Sequence, residues 1–89
     1  MLKYESLGFQ VTIWDADGNQ SIQVNVPSER VGKMYAQDAL TECGFHHASV
    51  RQYRDGKRPL LLLVIDKVGK YAHASRWNAA ETEETMSVH

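Results

Sequence analysis

The chain has 89 residues, of which 43% are apolar and 24% charged, with a net charge of −1. That length holds one small domain, and the apolar share argues against wholesale disorder. The longest apolar run, Leu60 to Ile65, is far short of the roughly 20 residues that span a bilayer. The N-terminus lacks the basic-then-apolar pattern of a signal peptide. Cys43 has no second cysteine to pair with, so a reducing cytoplasm is the expected compartment.

Phe9-Gln-Val-Thr-Ile-Trp14 alternates apolar and polar residues, which predicts a half-buried strand. Asp15-Ala-Asp-Gly-Asn19 is turn chemistry, and Ser21-Ile-Gln-Val-Asn-Val26 alternates again. The pair reads as a hairpin with Phe9, Val11, Ile13, Ile22, Val24 and Val26 on one face. Gln10, Thr12, Trp14, Gln23 and Asn25 take the other.

Pro27 ends the second strand, since it has no N–H to donate. Ser28 is placed to cap a helix, and Glu29 sits where the helix dipole favours a carboxylate. Val31, Tyr35, Ala39 and Cys43, with Ala36 and Leu40, recur at three- and four-residue spacing and predict the core stripe of a helix over 28–43. Gly44 is a left-handed stop with Phe45 as its hydrophobic contact. Gly32 is expected to weaken the first turn by about 1 kcal/mol relative to alanine.

A second hairpin follows, with Asp55-Gly56 as a two-residue turn expected to take positive φ at both positions. In that register Arg54 pairs with Lys57, Tyr53 with Arg58, Arg51 with Leu60 and Val50 with Leu61. Val50, Leu61, Leu63 and Ile65 then pack under the helix, while Arg51, Tyr53, Arg58, Leu60, Leu62 and Val64 share the other face. A strand apolar on both sides needs cover on both, and one helix covers only one. Tyr71 and Trp77, or a second copy of the chain, are the candidates to shield the other. Asn78-Ala-Ala-Glu81 resembles a helix start, and the polar segment from Thr82 to His89 is expected to fray.

The fold class read from this pattern is α+β: a ββαββ order with a four-stranded antiparallel sheet, one helix on one face, and a C-terminal tail partly helical or disordered. A single domain is expected over 1–72, with 73–89 as tail.

Three motifs dissolve on inspection. Asp15, Asp17 and Asn19 stand at the first, third and fifth places of a calcium loop, but Gln20 replaces its glycine, Val26 replaces its bidentate glutamate, and strands flank it. Cys43, His46 and His47 lie close in sequence, yet no second pair of metal ligands accompanies them, so no metal and no cofactor are expected. There is no glycine-rich phosphate loop and no nucleophile elbow.

Charge is segregated. Residues 1–45 hold three basic side chains against six acidic, whereas residues 46–77 hold seven basic against two acidic. The basic middle carries the candidate interaction face: Trp14, Arg51, Tyr53, Arg54, Lys57, Arg58, Leu60 and Leu62. The expected function is a small cytoplasmic binding or regulatory module, not an enzyme and without membrane contact, that uses this face for self-association or a protein partner. The alternative is nucleic-acid binding, with the aromatics stacking on bases and the cations following the phosphates. The second alternative is a small enzyme using Cys43 or His46 and His47.

Overall fold

The computed structural model describes residues 8–76. Strands β1 (Phe9–Trp14) and β2 (Gln20–Val26) form the first hairpin as their alternation requires. Val11 stands opposite Val24 and Ile13 opposite Ile22 on one face, with Gln10 opposite Asn25 and Thr12 opposite Gln23 on the other. The turn is braced by its own first residue: Asp15 Oδ1 accepts from the backbone N–H groups of Asp17 and Asn19 at 3.0 and 2.9 Å.

Helix α1 (Glu29–Glu42) starts at Ser28, whose Oγ accepts from the Val31 N–H at 3.1 Å. Ser28→Ala leaves that first-turn amide without its acceptor, so a loss of about 1 kcal/mol is expected. The measurement is a lower urea midpoint at unchanged slope. At the far end Gly44 adopts φ 82°, and the N–H groups of Cys43 and Phe45 both donate to the Ala39 carbonyl.

The helix meets the sheet on a different stripe from the one its large side chains suggest. Gly32, Ala36, Ala39 and Leu40 are buried, whereas Val31, Tyr35 and Cys43 are exposed. Proximity explains the rotation. A Cβ on Gly32 would stand 3.1–3.3 Å from methyls of Val11, Val50 and Val26, so there is no room for bulk between helix and sheet. Apart from Leu40, small residues occupy the contact, and Val31 and Tyr35 are displaced from it.

Strands β3 (His47–Arg54), β4 (Lys57–Val68) and β5 (Tyr71–Arg76) complete an antiparallel sheet in the order β2-β1-β3-β4-β5. The α+β fold with one helix on one face stands as expected, with five strands in place of four. The boundary expected at residue 72 falls inside β5. The core is Val11, Ile13, Val26, Ala36, Ala39, Leu40, Ala48, Val50, Leu63 and Ile65. Arg76 at the end of β5 forms an ion pair with Glu29 at the start of α1, tying the helix to that edge.

The second hairpin departs from the simple register. Arg54 stands opposite Lys57, but Gln52 is opposite Leu60, Arg51 opposite Leu61 and Val50 opposite Leu63. Two register shifts each insert one extra residue into β4, and each insertion moves the following side chains to the other face. Tyr53 therefore does not pair with Arg58, and Leu61 stands where Leu60 was expected. Of the two turn residues only Gly56 has positive φ. Trp77, the expected helix start at 78–81 and the polar end through His89 lie outside the described residues.

Candidate functional site

The face of the sheet away from α1 is built from the polar halves of the alternating strands. Among the described residues no element covers it. Two cross-strand rows give it its character. The first runs from Trp14 on β1 through His47 on β3 and Asp66 on β4 to His73 on β5, each opposite the next. The His47 Nδ1–H donates to Asp66, and the Trp14 ring lies tilted against the His47 ring, with centroids 4.9 Å apart and planes at 50°. The carboxylate fixes the imidazole, and the imidazole supports the indole.

The second row is held by Tyr53. Its hydroxyl donates to Asn25 Oδ1 at 2.7 Å and accepts from Gln10 Nε2 at 3.1 Å. Asn25 is on β2 and Gln10 on β1, so the phenol reaches from β3 across two neighbouring strands. A ring bonded at its far end gives up little further freedom when something packs on it. Arg51 stands beside it, opposite Gln10, and folds back so that its Nη1 donates to Ser49 Oγ at 2.6 Å. Between the rows Thr12 and Ser49 are almost inaccessible, 3% and 2% exposed.

The structure thus brings Trp14, Tyr53 and Arg51 onto one face. Arg54, Lys57 and Arg58 sit at the hairpin tip beyond it, where the Arg54 guanidinium donates twice to the Arg58 carbonyl, at 3.1 and 2.9 Å. Leu60 and Leu62 do not belong to the face. Leu60 stands opposite Gln52, which shares the helix side with Val50, and Leu62 packs against the core. The inserted residues in β4 are the cause, and Leu61 takes the place opposite Arg51.

Comparison with family models, curated proteins and solved structures gives no match. The reading of the site therefore rests on geometry.

His47 and Asp66 are the members that strand patterning missed. The uninterrupted register of the second hairpin carries Asp66 past His47 to the level of Phe45, and only the two insertions bring the pair together. His46, by contrast, lies in the connection ahead of β3, its N–H bonded to the Trp14 carbonyl. Cys43 is at the exposed end of α1, away from the core stripe expected for it. Among the described residues no three His, Cys, Asp or Glu side chains converge as metal ligands, and no helix is long and apolar enough to cross a membrane.

Proposed function

We propose that this chain is a cytoplasmic protein-binding module whose sheet face opposite α1 docks on another protein, with a second copy of the chain the partner to test first. The observation that carries the reading is the pinning of Tyr53 by Gln10 and Asn25, beside Arg51. Trp, Tyr and Arg are the side chains that dominate binding energy at protein interfaces, and rings already held in place lose little entropy on contact. A broad sheet face also suits a macromolecular surface better than a small ligand, which needs a concave pocket.

The test is sedimentation equilibrium at high micromolar concentration. The expected mass is near twice the 10.1 kDa of the chain. Trp14→Ala combined with Arg51→Glu is expected to weaken the dimer about thirtyfold, the equivalent of about 2 kcal/mol at hot-spot positions, with the circular dichroism of the folded monomer retained. A strictly monomeric wild-type protein would remove self-association. Oligonucleotide binding that falls steeply with salt, the sign of counterion release, would replace the protein-binding reading with the nucleic-acid one.

A further inference from the structure

The helix side of the sheet holds a second surface that no described element covers, built from different residues. The Glu29–Arg76 ion pair turns one flank of α1 toward β5. At 100° per residue the opposite flank carries Val31, Tyr35, Asp38 and Glu42, spaced i, i+4, i+7 and i+11. That flank looks toward β2. The helix lies over β1, β3, β4 and β5 and only grazes β2, so Ile22 and Val24 stay half-buried at the sheet margin. Val31 is 42% exposed, Met34 54% and Tyr35 39%. Val31 and Tyr35 form an exposed apolar strip along the flank above β2, and Met34 lies on the solvent side of the helix.

The strand below that strip is also an edge. β2 is the outermost strand, and every second residue of an edge strand turns its N–H and C=O away from its neighbour. Sheet edges are ordinarily blunted by lysine, proline or a bulge. From Ile22 to Val26 there is none of these, since the register shift of the first hairpin lies at its turn end.

We infer that the strip between α1 and the β2 edge receives an extended strand of a partner protein, apolar beside Val31 and Tyr35 and basic beside Asp38 and Glu42. Strand addition satisfies the β2 backbone groups that no described strand pairs, and alternate side chains of the added strand fall against the helix flank. The charge pattern selects the occupant. Asp38 and Glu42 have no ion-pair partner among the described residues, and Arg30 and Lys33 occupy other sides of the helix. β2 itself contains no charged residue, so the edge of a second copy would bring no cation to those carboxylates. A basic strand from another protein does.

The probe is a fluorescein-labelled peptide, Lys-Lys-Val-Thr-Val-Thr-Val-Lys-Lys, followed by anisotropy and amide exchange on the full chain. The expected result is saturable binding with new protection at the β2 amides. Tyr35→Glu, at an exposed position, is expected to weaken binding about tenfold. Asp38→Lys with Glu42→Lys should reverse the preference toward the same peptide ended in glutamates. N-methylation of alternate peptide amides should abolish binding in one phase of alternation only. Trp14→Ala with Arg51→Glu should leave the peptide affinity unchanged, which separates this site from the opposite sheet face. Absence of binding, protection elsewhere than β2, or indifference to Tyr35→Glu would overturn the inference. So would a dimer that dissociates on Tyr35→Glu, because the occupant would then be a second copy.

Discussion

Gly32→Val is expected to cost about 3 kcal/mol, and Gly32→Ala about 1 kcal/mol, both in the destabilising direction. On an exposed helix the alanine change should stabilise by a similar amount, because glycine is a poor helix former. Here the new Cβ would stand 3.1 Å from Val11 Cγ2, 3.2 Å from Val50 Cγ1 and 3.3 Å from Val26 Cγ2. Those methyls belong to three different strands, and all three valines are buried, so none can give way without disturbing the sheet. Overpacking a tight core costs about 1–3 kcal/mol. For alanine that exceeds the gain in helix propensity. For valine, two further methyls and a β-branch are added at the same point. Urea denaturation of both variants checks the ranking, and a rise in midpoint for Gly32→Ala would show that the helix can lift from the sheet at little cost.

Leu40→Ala is expected to lose about 3 kcal/mol. Leu40 is the one large side chain that α1 buries completely, alongside Ala36, Ala39 and Gly32. Deleting its three terminal carbons removes most of the apolar material the helix contributes and leaves a void beneath a rigid element. Against a typical total of about 5–15 kcal/mol for a domain, the midpoint should fall by roughly a fifth to three fifths of its wild-type value. Met34→Ala, at a position 54% exposed, is the control and should change stability by less than about 0.5 kcal/mol.

These two sites also explain which parts of the fold could be read from the sequence. Phe9 to Trp14 and Ser21 to Val26 alternate cleanly, so their pairing and faces were legible. Ser28 and Gly44 marked the helix ends for the same reason: each has a local chemical role. The rotation of the helix was not legible, because Val31 and Tyr35 look like core and Gly32 looks like a defect. Only the closeness of helix to sheet, a tertiary fact, reverses their roles. β5 was missed because Ala72, His73, Ala74 and Ser75 have little intrinsic strand preference; pairing with β4 supplies it.

The candidate face was legible in part for a related reason. Trp14, Arg51 and Tyr53 stand on β1 and β3, and the extra residues fall in the partner strands β2 and β4, so simple alternation placed them together. In β4 the run from Leu60 to Ile65 is apolar at every position, so the residue inserted at Leu62 leaves no trace in the pattern, and the other insertion falls between Lys57 and Leu60, at Arg58-Pro59. The two insertions therefore hid both the departure of Leu60 and Leu62 from the face and the arrival of Asp66 beside His47.

The strand order has a consequence for how the molecule assembles. β1 pairs with β2, and β3 with β4 and β4 with β5, all through short turns. Only the ladder from Phe9–Gln52 to Trp14–His47 joins segments separated by the whole helix. The chain is in effect two local meanders sewn along a single long-range seam, and that seam lies in the interior of the sheet. Closing it is the largest single loop-closure cost of folding. Parting it divides the core between the two halves, so the opening of this one ladder and global unfolding are the same event.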